Sequence, residues 1–429
     1  MPYFITAQEL AEQGTIPADL RTNTQLIYNS PAALDFNSPG AQGFGVKRAG
    51  LALPGSIMLL ISPACCGRNT AALAAPPDTQ GVSYGERFAY LLLDESDIVT
   101  GRHLQKIPQA VQAFIASRPE PPTCVLLCLT CVDALLGTDM ERIARKASAA
   151  AGLPVRPCYM YALTRESIRP PMVAVREMLY SLLEPAPKDA RSCNLLGFFA
   201  PLADTSELYA LLKAAGLRTI NELSRLRTWQ EYQQMAAANF NLVLNQEARR
   251  AAQAMQEKLQ IPFIELKRVY GLEQITHQYQ ALAKLLGTSW ELAPYAEAAR
   301  TAQEKFCAHH KDEIFGIGSR LNGNAFELAL TLARAGLTVA EIYGLPQADD
   351  FFYIKKLAKL SPETRIYTNL SVSMASYSES GSKVTFALGA DAVYYHPHAR
   401  SLSWNEERQP FGYQAVQELF TQMEAACHD

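Results

Sequence analysis

Short apolar runs alternate along this chain with longer stretches in which apolar residues recur every three to four positions. A run of four to eight apolar residues bounded by turn-formers reads as a strand buried on both faces, and the longer period reads as an amphipathic helix. GSIMLLISP (55–63) and TCVLLCL (123–129) therefore predict buried strands, and RFAYLLLD (87–94) predicts another. Helices are predicted through GRHLQKIPQAVQAFIAS (101–117) and TDMERIARKASAAAG (138–152), the second with Thr138 or Asp139 near its N-cap. EPAPKDARS (184–192), Pro-rich and charged, reads as a linker, after which CNLLGFF (193–199) and EIFGIG (313–318) each open a further unit. SELYALLKAAGL (206–217) and AFELALTLARAGL (325–337) are both read as helices closed by Ala-Gly-Leu, with Gly216 and Gly336 suited to the left-handed position after a helix. Strand–helix–strand units look alike in many folds, so this likeness suggests related domains without proving them.

The predicted architecture is α/β: three doubly wound, parallel-sheet (Rossmann-like) domains, at 1–190, 191–300 and 301–429, the last ending in a C-terminal helix. Ligands of such sheets bind in the crevice beyond the strand C-termini. At 429 residues the chain exceeds what one ordinary core holds. A composition of 48% hydrophobic and 19% charged residues, with a formal charge of −3, describes a globular protein without the basic excess of a nucleic-acid binder. No apolar run reaches the length of a membrane span, and MPYFITAQELAEQG lacks the pattern of a signal peptide. The expected location is therefore cytoplasmic, with no membrane and no nucleic-acid partner. Nine cysteines, an odd number in a long chain without a leader, point to reduced thiols and to metal or redox use of the clustered ones.

Two groups of cysteines fall at predicted strand ends: Cys65 and Cys66 after the first strand, and Cys124, Cys128 and Cys131 around TCVLLCLTC. Soft thiolates there suit zinc or an iron–sulfur cluster, while buried cysteines in a core are the plainer alternative. Cys124-VLL-Cys128-LT-Cys131 has the spacing of the radical SAM cluster motif. Val125 to Leu127 read as strand interior, however, and an extended strand separates its ends by more than ~10 Å. A zinc ribbon would need two separated CxxC pairs, and only one is present.

PACCG (63–67), LLLDESDIVTGRHLQKI (91–107), CVDALLGTDMERIARKA (131–147), the segment from CNLLGFF to TINEL, NFNLVLNQEARRAAQAMQEKLQIPFIEL and PFGYQAVQEL (410–419) together resemble component 1 of nitrogenase and its nitrogenase-like relatives. The resemblance runs from about residue 35 to about 425. It implies an iron–sulfur cluster at a subunit interface, [4Fe–4S] or P-cluster-like, with Cys66 and Cys131 as ligands and Cys65 or Cys128 as additions. The family's first cluster cysteine should fall in NSPGAQG (37–43), where none is present. Fewer ligands per subunit is the pattern of relatives such as dark-operative protochlorophyllide reductase, which hold a [4Fe–4S] cluster between two subunits.

The catalytic cofactor of nitrogenase hangs from one cysteine and one histidine. The cysteine position carries Asn245, a poor ligand for iron, whereas the histidine position is kept as His396, with His398 close by. A second metallocofactor would thus lack its thiolate. A satisfied, partly buried imidazole explains His396 equally well.

The resemblance implies an oxidoreductase subunit. An ATP-dependent, [4Fe–4S]-containing reductase would pass electrons through the interfacial cluster to a substrate in the inter-domain crevice, with His396 as proton donor or ligand. The chain has no GxxxxGK[ST] of its own, so ATP chemistry falls to that partner. It would work as a homodimer or with a paralogous second subunit. The alternatives are a non-catalytic scaffold on which a metallocluster is assembled, or a structural subunit of a heteromeric complex. Cys193, Cys307 and Cys427 are expected to take no part in the cluster.

Overall fold

The computed structural model describes residues 2–17, 20, 50–63, 85–130, 136–159, 171–369 and 371–428. Strand β1 (Ile5–Thr6) pairs antiparallel with a strand near the other end of the chain. The next four strands form an all-parallel sheet. They are β2 (Ile57–Ser62), β3 (Phe88–Leu92), β4 (Val125–Leu129) and β5 (Val155–Tyr159), in the order β3-β2-β4-β5. A second parallel sheet contains β6 (Asp189–Leu196), β7 (Thr219–Glu222), β8 (Ala238–Val243) and β9 (Phe263–Glu265), in the order β7-β6-β8-β9. The third contains β10 (Ile314–Gly318), β11 (Thr338–Tyr343), β12 (Arg365–Tyr367), β13 (Phe386–Leu388) and β14 (Arg400–Leu402), in the order β1-β12-β11-β10-β13-β14. Apart from β1, its strands are parallel.

The chain forms two compact units: β2 to β9 lie in one, and β1 with β10 to β14 lie in the other, along with residues 202–216 and the helices from Arg268 onward. This is the α/β, parallel-sheet fold expected from the alternation. In each sheet the order reverses between two central strands, at β2/β4, β6/β8 and β10/β13, and such a reversal opens a crevice at the strand C-termini.

The unbroken apolar runs follow from burial on both faces. Cys124, Leu126 and Cys128 pack with Met58 and Leu60 on one side of the first sheet. Val125, Leu127 and Leu129 pack with Ile57, Leu59 and Ile61 on the other. Successive residues of a strand point to opposite faces, so each face receives every second residue and both must be apolar. Each such leucine, fully buried, contributes roughly 1.5–3 kcal/mol relative to exposure.

The predicted helix signals are also seen. Asp139 accepts the Arg142 amide at 2.9 Å and caps the helix Met140–Ala151, which Gly152 ends at φ +69°. Gly216 and Gly336 adopt φ +90° and +85° just beyond the helices Glu207–Ala214 and Ala325–Arg334. The predicted linker 184–192 differs from the structure, because its last four residues already belong to β6, with Ser192 registered against Thr219 of β7. The start of β6 is exposed and polar, so its pattern lacks the burial that marks a strand. Among the described residues, no helix is long and apolar enough to cross a membrane.

Candidate functional site

The first crevice is built on β2 and β4. They lie side by side, with Ile61 registered against Leu129, and the Thr130 hydroxyl donates to the Ile61 carbonyl at 3.2 Å. Two strands so paired leave the sheet at one edge, about 4.8 Å apart. Cys65 and Cys66 follow β2 in the sequence and Cys131 follows β4; all three lie outside the described residues. An order reversal of this kind is where ligands of parallel sheets bind.

Cys128 sits elsewhere. It is fully buried inside β4, registered against Cys158 of β5, in the apolar cluster with Cys124. Burial pushes the Cys124 thiol up to about 12, outweighing the Thr123 hydrogen bond, as suits a packing cysteine. Cys124 and Cys128 share a sheet face inside the apolar core, so the radical SAM spacing has no loop on which to form a cluster.

The second crevice, within the same unit, lies at β6 and β8. Asn245 follows β8, and its side-chain oxygen accepts the Glu247 amide at 3.0 Å, capping the turn Gln246–Ala248. Gly197, just past β6, has φ +127°, and a Cβ there would stand 2.7 Å from both the Asn245 amide nitrogen and its Cβ. Only glycine allows that approach. The Gly197 carbonyl accepts two hydrogen bonds from Arg176, from Nε at 2.8 Å and Nη2 at 2.6 Å. Arg176 is 4% exposed, pairs with Glu247 at 2.9 Å, and lies 4.3 Å from the centre of the Phe199 ring. Burial lowers its pKa, and the neighbouring Glu247 carboxylate opposes that shift. The crevice wall around Asn245 is thus organised by a buried guanidinium. Arg176 does not stand out in the sequence, where its signal is an adjacent Arg-Glu pair inside the mostly apolar run MVAVREMLY.

In the other unit, His396 ends the helix Ala390–Tyr395, its amide bonded to the Ala392 carbonyl at 3.0 Å. It was expected on a crevice wall, but it is 2% exposed. Gly316 of β10 lies beside the ring: a Cβ there would meet the Val384 methyls at 3.1 and 3.3 Å and the imidazole Cδ2 at 3.4 Å. Nε2 stands 2.7 Å from the Tyr343 hydroxyl, 3.0 Å from that of Tyr377 and 3.4 Å from Oε2 of Glu341. Glu341 Oε2 accepts from Tyr343 and from Tyr377, the latter at 2.7 Å, while Oε1 accepts from Ser382 at 3.0 Å.

Each tyrosine has one proton. With both given to the carboxylate, the count closes when His396 carries hydrogen on Nε2 and donates to the tyrosine oxygens. Burial would raise the Glu341 carboxyl, but hydrogen bonds from His396, Tyr343, Tyr377 and Ser382 outweigh it and hold the group down at about 2. Burial and the adjacent carboxylate push the Tyr343 hydroxyl well above its usual range, so it stays protonated. Offering Nε2 to a metal would mean displacing both tyrosine hydroxyls. His398 is exposed and stands 3.4 Å from Glu379, apart from this network.

The family model of nitrogenase component 1 type oxidoreductases matches residues 41–350. The chain belongs to that family. The matched segment includes Cys65, Cys66, Cys131 and Asn245 and stops before His396. The nitrogenase iron-molybdenum cofactor biosynthesis protein NifE of Sinorhizobium fredii is 27% identical over 372 residues, covering 79% of this chain and 71% of that protein. NifE of Klebsiella pneumoniae is 26% identical over 226 residues, and that match spans about half of the relative, 49% of its length and 50% of this chain. Among solved structures, nitrogenase Cp1 superposes with a TM-score of 0.71 at 14% identity, covering 97% of this chain and 95% of that one. A likeness at that identity establishes the fold of a nitrogenase component 1 subunit and leaves the chemistry to the residues.

Proposed function

We propose that this member of the family is a scaffold on which a metal–sulfur cofactor is held during assembly, and not the site of its turnover. The observation that carries the reading is Asn245, which stands where the resemblance places a cofactor cysteine and whose amide oxygen caps its own turn. A neutral, engaged amide gives a cofactor no thiolate anchor, so a bound cluster would be held loosely enough to leave. The enclosure of His396 Nε2 by Tyr343 and Tyr377 supports the same direction, as do relatives named for cofactor biosynthesis.

Cys66 and Cys131, with Cys65 beside them, would hold an iron–sulfur cluster, which supplies one-electron chemistry when bound. The buried position of Cys128 supports leaving it out of the ligand set. Few thiolates per chain favour a cluster shared with a second copy or a paralogous subunit. An ATP-dependent [4Fe–4S] reductase is the partner that would supply electrons. Asn245, Gly197 and Arg176 would line the place that receives cargo, and His396 would serve as a proton-holding group in its own unit.

The test uses anaerobically purified full-length chain, assayed for iron and sulfide and then mixed with an apo-protein acceptor of metal–sulfur cofactor. Transfer of bound metal to the acceptor is expected, and Asn245→Cys should slow it by adding the missing thiolate. Multiple reductive turnovers with an ATP-dependent reductase, without transfer, would overturn the scaffold reading and support the oxidoreductase subunit.

A further inference from the structure

Three of the chain's seven histidines meet at one corner of the unit that contains the third sheet. The helix Ala293–His309 ends there, with His310 as its C-cap, and packs against the C-terminal helix Gly412–Ala426, which carries Glu424 in its last turn and is followed by His428. Glu424 is 8% exposed. Its Oε1 lies 3.0 Å from His309 Nδ1 and 3.6 Å from His428 Nε2, and its Oε2 lies 3.3 Å from His310 Nε2. Two of these atoms, Glu424 Oε2 and His310 Nε2, are buried without a hydrogen bond, because the short approach between them is not aligned as one. A buried acceptor and a buried imidazole nitrogen facing each other unbonded are costly unless something sits between them.

We propose that this corner binds a divalent transition-metal ion of the zinc class, with His309, His310 and Glu424 as ligands and His428 as the fourth. The donor atoms of His309, His310 and Glu424 lie within 4.8 Å of one another. Ligands about 2.0–2.1 Å from a tetrahedral zinc ion are separated by roughly 3.4 Å, the scale of the approaches seen here. Imidazole and carboxylate are borderline-to-hard donors suited to zinc. The C-terminal ends of both helices converge on the spot, and their partial negative charge favours a cation. The present cationic neighbour is Lys305, 3.6 Å from Glu424 Oε1, largely exposed and free to move aside. A neighbouring set, His310, Glu313 and Cys427, has similar spacing, but Arg400 and the Thr385 hydroxyl already engage the Glu313 carboxylate. His428 lies outside that mutual set, but its exposed ring, 3.6 Å from Glu424 Oε1, would swing in to complete four protein ligands, the pattern of a structural ion and not a catalytic one. Such an ion would fasten the C-terminal helix to the helix Ala293–His309.

These ligands are remote in sequence from the cysteines of the proposed cluster. The tag-free full-length chain carrying Cys65→Ala, Cys66→Ala and Cys131→Ala, which removes the thiolates of the proposed cluster, is titrated with cobalt(II) and then with zinc. The expected result is one site showing the visible d–d bands of four-coordinate nitrogen and oxygen ligation, without thiolate charge transfer, bleached by zinc. In His309→Ala/His428→Ala, whose replaced side chains are exposed, circular dichroism should be unchanged. Affinity should fall by more than the roughly 10–100-fold that loss of an outer-shell partner costs. Glu424→Gln should weaken binding in the same sense. In that cysteine-substituted chain, equal cobalt affinity with and without the two histidine replacements, or a spectrum dominated by thiolate charge transfer, would overturn the site.

Discussion

Glu341 is the acceptor on which the His396 network closes, so replacing it with glutamine measures what that network is worth. The carboxylate is 2% exposed and accepts from three hydroxyls, with the imidazole 3.4 Å away. Held at about 2 against an ordinary 4.5, it contributes roughly 3 kcal/mol to the folded unit at neutral pH. The sign follows from proton binding. The unfolded chain takes up the proton first as pH falls, so the contribution is complete above about pH 5 and fades as pH approaches 2. Glutamine keeps the shape and one acceptor oxygen but loses the charge, which favours an expected loss of about 2–3 kcal/mol at pH 7. A chain of two units need not unfold in one step, so the assay is hydrogen exchange of the β11 amides, read by mass spectrometry. Glu341→Gln should exchange there roughly 30- to 150-fold faster than wild type at pH 7, with the ratio shrinking toward pH 3. A ratio below about fivefold at pH 7, or one constant with pH, would refute the reasoning. Iron bound elsewhere should be unaffected.

Three further outcomes are expected. Cys66→Ala and Cys131→Ala should each lose iron and sulfide on elemental analysis, whereas Cys128→Ala should keep both and lose about 1–2 kcal/mol of packing, because its thiol lies in the core. Burial pushes the Glu327 carboxyl up to about 7, against amide bonds from Tyr270 and Gly271 and the Thr331 hydroxyl bond. The folded chain then keeps a proton that the unfolded chain releases near pH 4.5, so stability falls by up to roughly 3 kcal/mol between pH 5 and 8. Denaturation midpoints of Glu327→Gln should lack that fall. Gly197→Ala puts a Cβ against Asn245 at a φ that favours glycine, and should cost about 2–4 kcal/mol with faster exchange over residues 244–249.

The features legible in the sequence were local ones. Leu126 and Leu127 sit on opposite faces of one strand, and because both faces are buried the unbroken run announced β4. Asp139, Gly216 and Gly336 announced helix ends because capping depends on a residue and its near neighbours. The His396 network was not legible, since Tyr343 lies 53 positions away and Ser382 stands 41 from Glu341. Nothing in YYHPH reveals that β10 offers a glycine for the ring to pack against. Arg176 was hidden similarly, its main acceptor being the Gly197 carbonyl, 21 residues on. Cys124 and Cys128 were ambiguous because a thiol in a strand reads the same whether it packs or ligates, until the face it points to is known.

The three order reversals explain why one fold can serve unlike chemistries. Each places two adjacent loops at the C-terminal edge of a parallel sheet, and the geometry of that edge is set by strand pairing, whatever the loops contain. Side chains then decide its use. At β2/β4 the segments that follow carry Cys65, Cys66 and Cys131 in the sequence. At β6/β8 the polar groups already satisfy one another: Asn245 caps its turn, and Arg176 is divided between the Gly197 carbonyl and Glu247. In the other unit, near β10/β13, Nε2 of the His396 imidazole faces two hydroxyls and a carboxylate that already engage it. A metal arriving at Asn245 Oδ1 or at His396 Nε2 must first break hydrogen bonds that each cost about 1–3 kcal/mol when left unmade. On the proposed reading, durable metal ligation in these crevices falls to the first. Under the same proposal, whatever the second receives could depart, which is the property a scaffold needs and a catalyst anchored to its cofactor would lack.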